Sequence, residues 1–502
     1  MTRSLTTPLS YLRDLVSLIL IVVMFGSLAP VSPQEPLAQS FSSARNKAEL
    51  HQALLDLTNA TTVMCVAAHP DDEDGTSLTV LRRKYGVHTV SLFSTYGEGG
   101  QNAVGPELYE ELGVIRANET REASRIQGSE PHFLALKDFG FSKSAEETFR
   151  VWGKDEALRR MVFKIRELRP DVIITNHDTT SGHGHHQATG RLVLEAFDAA
   201  ANPQRFAEQL NTVRIWQPSR LFVRSRGPAG ANAVTTTTPA EEKFVTVDPN
   251  EQDPIRGNIY AAQALMALQK HASQGPWPQS IADRLRGNPS GKLPLIRYRL
   301  AREAPGIPLL PADARTFLDG LQISPPLAAP TLEGRALSEI IDQPDRVLNA
   351  LIDWRRRAPK ASPNGNDPQR AQLMTERADR ALALAAGIML AISPPANALL
   401  RETPARFTVN LSNSGNRTVQ IRKLTFEGWG VVVPLEAADL LSADSETITP
   451  VDLVTPANAA ITVPEEEHLY DDLLFGHRFV AQADLEIDGA RFSINAKKTL
   501  NV

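Results

Sequence analysis

The sequence predicts an α/β fold with a mostly parallel central sheet and helices on both faces, followed by a helical segment and a C-terminal antiparallel β-sandwich. Two apolar runs, 63–68 and 170–176, each end abruptly in polar, turn-forming residues, as buried strands do. Segments with helical spacing follow both runs, and short alternating runs begin only after residue 394. This order is typical of a Rossmann-like sheet that precedes an all-β module.

The amino terminus has the pattern of an export signal. Arg3 and Arg13 precede the apolar stretch 15–25, and small residues follow it. Pro30 directly after Ala29 disfavours cleavage there, so both a cleaved signal and an uncleaved membrane anchor stay open. We expect residues 1–38 to direct export, which makes the protein periplasmic, secreted or anchored through its N-terminus.

The first apolar run ends in an imidazole and three carboxylates, at residues 69–73. In open α/β sheets the ligand crevice lies beyond the carboxyl ends of the strands. His69 and Asp72 are zinc-type ligands close enough to bind one ion from a single turn, and Asp71 would lie beside that ion, placed to accept a proton from water. The alternative is that Asp71 or Asp72 caps a helix at 75–83.

The second run leads into a loop, 177–186, that contains four of the chain's eleven histidines. A helix is predicted directly after it, at 187–200. Parallel strands would bring this loop beside His69 and Asp72, so that one loop histidine completes a three-ligand site with a position left for water, as in catalytic zinc sites. A solvated loop or an adventitious metal binder is the alternative.

Together these motifs resemble the PIG-L/LmbE-like family of zinc-dependent N-acetylglucosaminyl deacetylases and related amidases. The resemblance rests mainly on residues 69–73 and 183–186, with further agreement at 94–102, 112–119 and 270–274. It extends over about residues 55 to 280. It implies a hydrolase that cleaves the amide bond of an amino-sugar-containing substrate.

The resemblance also implies roles for particular residues. His69, Asp72 and His186 would be the metal ligands, with Zn2+ as the ion and Fe2+ as an alternative that the same ligand types accept. Asp71 would be the general base. His183, as an imidazolium, would stabilise the oxyanion of the tetrahedral intermediate.

Four further residues leave questions open. Arg116 matches a family arginine that holds substrate, but it could equally be a solvated helix arginine. His185 stands where many family members have an aspartate, and Asp178 from the same loop is a candidate replacement as partner of His183. Glu73 either caps the following helix or supports the site through hydrogen bonds.

Composition sets the remaining expectations. With 502 residues, 42% of them hydrophobic, the chain is long enough for two or three domains, and its net charge of −5 gives no reason to expect nucleic acid as a partner. We divide it into the N-terminal signal or anchor (1–38), a deacetylase domain (39–300), a helical region (301–393) with helices at 332–358 and 368–392, and an immunoglobulin-like sandwich (394–502). The oligomeric state is left open.

The sequence thus predicts an exported zinc-dependent deacetylase acting on an N-acetylglucosamine-type substrate. Two alternatives remain. One is an amidase that cleaves non-sugar conjugates by the same chemistry. The other is a non-catalytic protein that binds a glycan in an inherited pocket.

Overall fold

The computed structural model describes residues 35–225, 242–323, 328–357, 368–462 and 476–502. The predicted export signal lies almost wholly outside these residues, which begin with helix α1 (Glu35–Asp56). Residues 1–47 and 48–502 form two separate units, and all the described strands lie in the second unit. None of the described helices combines the length and apolar character needed to cross a membrane.

A seven-stranded sheet organises the first part of the second unit. Its elements, with the helices and short strands between them, are β1 (Thr62–Ala67), α2 (Gly75–Tyr85), β2 (His88–Phe93), α3 (Glu110–Gln127), β3 (Ser129–Phe133), α4 (Ala145–Trp152), α5 (Lys154–Leu168), β4 (Val172–Thr175), α6 (Gly184–Ala199), β5 (Arg220–Ser225), β6 (Phe244–Val247), β7 (Gln252–Asp253), β8 (Asn258–Ile259), α7 (Tyr260–Leu268), α8 (Ile281–Arg284) and β9 (Ile296–Glu303). The strand order is β3–β2–β1–β4–β5–β9–β6. The first five strands run parallel, and β9 is antiparallel to β5 and β6.

Strand β1 is buried along its whole length because both faces of the sheet are covered. Met64 and Val66 pack into one hydrophobic cluster with residues of α5 and α6, whereas Val63 and Cys65 pack into another with residues of α2. Alternate side chains of a strand point to opposite faces, so a continuous apolar run is what a doubly covered strand requires. The predicted α/β fold with helices on both faces is confirmed.

The order in which successive strands are added to the sheet reverses between β1 and β4. After β1 the chain continues outward through β2 and β3, and it returns to place β4 on the other side of β1. Val66 pairs with Thr175 in the register, so the carboxyl ends of the two strands are level. A crevice at such a switch point is the usual ligand site of open α/β sheets.

The second part of the same unit contains two helices, two larger antiparallel sheets and one antiparallel pair of two-residue strands. Its elements are β10 (Thr331–Leu332), β11 (Arg335–Ala336), α9 (Pro344–Arg357), α10 (Pro368–Ala386), β12 (Ile388–Ser393), β13 (Pro404–Asn413), β14 (Val419–Gly428), β15 (Val431–Pro434), β16 (Leu440–Leu441), β17 (Ser445–Val454), β18 (His477–Ile487) and β19 (Ala490–Leu500). Strands β12, β13 and β17 form one sheet, and β14, β15, β16, β18 and β19 form the other. Phe407, Phe426 and Phe479 meet in the core between them.

Several of the predicted boundaries need correction. The helix predicted at 332–358 begins at Pro344, because the β10–β11 pair and a short helical turn occupy residues 331–340. The sandwich predicted to begin at 394 already includes β12. The helix predicted to reach residue 392 ends at Ala386, because Gly387 takes a positive φ of 72° and Ile388–Ser393 then pairs with β13 as a strand. The helical region was also predicted to begin at 301, but β9 continues to Glu303. The irregular segment after it packs Leu310 and Phe317 against the seven-stranded sheet.

The C-terminal part is joined to the sheet at the end opposite the crevice. Arg377 on α10 donates to the main-chain oxygens of Asp56 and Asn59, just before β1. Arg370 pairs with Asp171, the residue before β4, at 2.9 Å. These contacts fix the amino-terminal ends of β1 and β4.

Candidate active site

The sharp turn after β1 positions the two adjacent aspartates. The Asp72 N–H donates to the His69 carbonyl oxygen at 3.2 Å, with Pro70 and Asp71 as the two central residues of the turn. Asp71 has a φ of 86°, in a region that turns of this kind usually fill with Gly or Asn. A strained residue of this sort costs about 1–3 kcal/mol and is commonly kept for function.

Neither aspartate of the turn caps helix α2. The cap is Asp74, whose carboxylate accepts the N–H of Ser77 at 3.0 Å. Glu73 does not cap the helix either, since its carboxylate accepts the Asp71 N–H at 3.0 Å and the Gln127 amide at 2.8 Å. Of the two roles considered for Glu73, the structure therefore shows the supporting one, because Glu73 holds the backbone of Asp71.

The three predicted metal ligands come together at the crevice. Asp72 Oδ2 lies 2.8 Å from His69 Nδ1 and 3.2 Å from His186 Nε2. Donor atoms of His69, His183 and His186 also lie within 4.8 Å of one another. Two imidazoles and a carboxylate are a donor set that suits a catalytic zinc ion, so the residues fit the metal that the motifs imply.

The pKa values of the two adjacent carboxylates are shifted in opposite directions. Burial raises the pKa of Asp71, and the nearby negative charges of Asp72 and Glu73 raise it further. Burial would also raise the pKa of Asp72, but hydrogen bonds from His186 and His69 outweigh that effect and hold it well below its usual range. Asp72 is therefore suited to remain an anionic ligand, whereas Asp71 is suited to accept a proton near neutral pH.

His183 differs from the imidazolium that was expected. Burial, together with the charges of His69 and His186, lowers its pKa to about 4. Its Nδ1 accepts the backbone N–H of His185 at 3.4 Å at the start of α6, which leaves the proton on Nε2. A neutral imidazole of this tautomer still donates an N–H to an oxyanion.

Asp178 does not support His183. Its carboxylate accepts the backbone N–H groups of Thr180 and Ser181 at 2.7 and 2.6 Å and so organises its own loop. Besides Asp72, the carboxylate of Asp138 lies beside the histidine cluster, 3.8 Å from both His69 Nε2 and His185 Nδ1. Asp138 has no ligand-like spacing around it in the sequence, which is why it was missed.

Arg116 is buried and not a solvated helix residue, with a relative exposure of 3%. Its guanidinium donates to the carbonyl oxygens of Gly97 and Gln101 and, at 3.2 Å, to the hydroxyl of Ser273. It therefore holds the loop beside the crevice. Because it also lines the pocket, its contact with substrate stays a prediction.

The crevice opens into a pocket of about 480 Å³. Besides the predicted residues it is lined by Gly99, Gly100, Gln101, Asp138, Gly140, Phe141 and Gln274. Phe141 is 78% exposed, and its ring lies 5.8 Å from that of His183. Gln274 donates to the carbonyl oxygen of Pro70 at 2.7 Å, which connects the 270–274 motif to the turn.

The sequence is similar to proteins of known activity. Residues 64–197 match the family described as PIG-L, GlcNAc-PI de-N-acetylase. A 1D-myo-inositol 2-acetamido-2-deoxy-alpha-D-glucopyranoside deacetylase of Streptomyces griseus is 31% identical over 280 residues, which cover 49% of this chain and 85% of that protein. A mycothiol S-conjugate amidase of Streptomyces coelicolor is 30% identical over 33% of this chain and 61% of that protein.

Among solved structures, the N,N'-diacetylchitobiose deacetylase of Pyrococcus horikoshii aligns at 22% identity and a TM-score of 0.32, over 43% of this chain and 71% of that one. The family match falls on the residues that form the crevice. The Streptomyces griseus relative extends the similarity over most of its own length. The chain therefore belongs to the PIG-L family, whose members are metal-dependent N-deacetylases that hydrolyse amide bonds.

Proposed function

We propose that this protein is an exported zinc-dependent deacetylase that hydrolyses the N-acetyl group of an N-acetylglucosamine-type substrate. The observation that supports this most directly is the position of Asp71, a partly buried carboxylate with a raised pKa directly beside His69 and Asp72. A base next to metal ligands in a pocket large enough for a sugar is the arrangement that amide hydrolysis needs.

Each residue then has a separate task. His69, Asp72 and His186 hold the ion, which when bound would polarise the amide carbonyl and make a water molecule more acidic. Asp71 accepts the proton of the attacking water and passes it to the leaving amine. The Nε2–H of His183 donates to the oxygen on which negative charge develops.

The substrate class follows from the relatives. One named relative acts on an N-acetylglucosamine linked to inositol, and another is an amidase of mycothiol conjugates. The amidase supports the second candidate function, in which the same chemistry cleaves an amide bond that is not an N-acetyl group. Comparing N-acetylglucosamine, its inositol conjugate, diacetylchitobiose and a mycothiol-type amide as substrates separates the two.

The catalytic assignment is tested by comparing wild type with Asp71→Asn and Asp72→Ala. Metal content is measured by elemental mass spectrometry after anaerobic purification, so that bound Fe2+ would also be detected, and turnover is measured by acetate release. We expect Asp71→Asn to keep the metal and lose turnover, and Asp72→Ala to lose both. Equal turnover in wild type and Asp71→Asn would refute the general-base role, and a wild type that retains no metal even after zinc is resupplied would favour a glycan-binding protein.

Export is tested separately. Residues 1–38 are fused to alkaline phosphatase, which is active only after export, with Arg3 and Arg13 left intact or both replaced by Glu. We expect phosphatase activity from the intact fusion and much less from the charge-reversed one. N-terminal sequencing of the exported full chain then distinguishes a cleaved signal from an uncleaved anchor. An inactive intact fusion would contradict export.

A further inference from the structure

His185 makes a contact that its place in the motif does not explain. It stands between the predicted oxyanion residue and the predicted metal ligand His186, but its ring turns toward another residue. Its Nδ1 lies 2.9 Å from Nε2 of His69, and the side chain is fully buried. The other nitrogen of His69, Nδ1, faces Asp72 at 2.8 Å.

In this structure the Nδ1–H of His69 donates to the Asp72 carboxylate, which only accepts. A ring nitrogen that binds a metal must be unprotonated, so with a metal at Nδ1 the proton of a neutral His69 would belong on the nitrogen that does not face Asp72. That nitrogen is Nε2, and the acceptor at hydrogen-bond distance from it is His185 Nδ1. Asp138, at 3.8 Å, is too far to accept the same proton directly.

We infer that His185 is a positioning residue, which accepts the Nε2–H of His69 and thereby holds Nδ1 of His69 toward the metal. The inference rests on the proposed function, because it presupposes that His69 is a ligand. A hydrogen-bond acceptor behind a ligating histidine fixes both its tautomer and its ring orientation. Here that acceptor is an imidazole.

Packing alone does not account for a histidine at this position. The ring lies against Phe139 and Trp152, with centroid distances of 4.5 and 5.1 Å. Accepting through Nδ1 places a proton on Nε2, and no described residue offers that nitrogen a partner. An apolar side chain would fill the same space without an unpaired buried N–H, so the contact with His69 is what favours histidine.

The surroundings also favour a neutral acceptor at this position. The carboxylate of Asp138 lies 3.8 Å from His185 Nδ1 and is almost completely buried. A second carboxylate in the position of His185 would face Asp138 in a dry environment, where like charges repel strongly. An imidazole accepts the proton of His69 without that repulsion.

The test compares two substitutions that differ in one property. His185→Asn retains an acceptor atom close to the position of Nδ1, whereas His185→Leu fills the space without one. Thr189→Val is the matched control, since Thr189 is buried one turn later on the same helix, and its hydroxyl bonds Ser94 at 2.8 Å instead of a ligand. The full chain is used, and thermal unfolding of the metal-free proteins shows whether each variant folds.

Zinc affinity is measured by competition with a chelator, and the visible spectrum of the Co2+-loaded protein reports the ligand geometry. We expect His185→Leu to weaken zinc binding by about 10- to 100-fold and to alter the Co2+ spectrum, while His185→Asn and Thr189→Val stay close to wild type. If His185 had only a structural role, His185→Leu would lose stability. His185→Asn would then restore zinc binding only as far as it restores folding.

Three outcomes would overturn the inference. Tight zinc binding in wild type with unchanged affinity in His185→Leu would remove the positioning role and leave the proposed function intact. Two equivalents of zinc in wild type and one in His185→Leu would make His185 a ligand, for which His69, Asp138 and His185 lie close enough together. A wild-type protein that binds no metal would overturn the proposed function as well.

Discussion

Two adjacent aspartates acquire different chemistry because their surroundings differ. Asp72 receives hydrogen bonds from His69 and His186 and stays ionised. Asp71 is partly buried and has negative neighbours, so it holds a proton more readily. The strained turn creates this difference, because a φ of 86° at Asp71 turns the two side chains to separate positions.

The strain at Asp71 predicts that activity is kept at the expense of stability. Asp71→Gly and Asp71→Ala both remove the carboxylate, and both are expected to abolish turnover. Gly takes a positive φ without strain, so Asp71→Gly should be about 1 kcal/mol more stable than Asp71→Ala. Urea unfolding of the metal-free variants measures the difference. Equal stability of the two would show that the turn is not strained at this residue.

Substitution of Arg116 should lower both the stability of the protein and its affinity for substrate. Lys cannot reproduce the fork that bonds Gly97, Gln101 and Ser273, so Arg116→Lys should lower the free energy of unfolding by about 1–3 kcal/mol. We also expect a raised KM, since the loop that it holds lines the pocket. If stability is unchanged and only KM rises, Arg116 acts on the substrate alone.

At the level of elements, the start of helix α6 carries His183, His185 and His186 against the ends of β1 and β4. The helix approaches the loop after β4 very closely. A Cβ added at Gly190 would lie 2.2 Å from the carbonyl oxygen of Asp178. The position of the histidines therefore depends on Gly190, which lies one turn after His186 and has no side chain.

Gly190→Ala should consequently disturb the site without changing any ligand. The clash is with backbone atoms, which cannot rotate away, so we expect a loss of about 1–3 kcal/mol of stability and a lower zinc affinity. Asp198→Ala, an exposed change on the same helix, should alter stability by less than about 0.5 kcal/mol. Chemical unfolding and chelator competition measure the two effects. A Gly190→Ala protein that matches this control would show that the helix can shift freely.

On the scale of the whole molecule, the C-terminal part supports the sheet from the end opposite the active site. Asp56 lies at this junction, where its carboxylate pairs with Arg82 of α2 and its carbonyl oxygen accepts from Arg377 of α10. Burial would raise the pKa of Asp56, but the charge of Arg82 outweighs it and the pKa is lowered. The three residues connect α1, the catalytic sheet and the C-terminal helices.

Asp56→Asn should therefore destabilise the whole unit by about 3–5 kcal/mol at pH 7, because it leaves the largely buried Arg82 without its charged partner. A carboxylate with a lowered pKa contributes stability above its unfolded-state pKa and loses it as the pH falls through the folded-state value. The difference from wild type should thus shrink below about pH 4. Asp452→Asn, which breaks an exposed pair with Arg406, should change stability by less than about 1 kcal/mol.

Thermal unfolding between pH 3 and 8 tests this prediction. A difference between Asp56→Asn and wild type that persists unchanged at pH 3 would mean that the charge of Asp56 is not its source. Separate unfolding transitions of the catalytic and C-terminal parts in wild type would show that the junction does not couple them.

Much of the site was predictable because ligand chemistry follows strand ends in the chain. In an open α/β sheet, an apolar run followed by His69, Asp71 and Asp72 places those side chains at the carboxyl edge of the sheet. The mostly parallel sheet and the meeting of His69 with a histidine of the 177–186 loop could be foreseen on the same grounds. The choice of His186 came from the family resemblance, and the C-terminal antiparallel sheets from the alternating runs after residue 394. Helix ends were less predictable, since β12 forms only because β13 offers it a partner.

What the sequence by itself determined is the kind of chemistry, because imidazole and carboxylate groups at set spacings restrict both the metal and the reaction. What only the tertiary structure decided is how those groups divide the work. The hydrogen bond from His69 to His185 joins residues far apart in the chain. The support of Asp71 by Glu73 and the burial of Arg116 depend on side-chain directions that the sequence does not reveal. Proton positions and pKa shifts depend on distances and burial, and those exist only once the chain has folded.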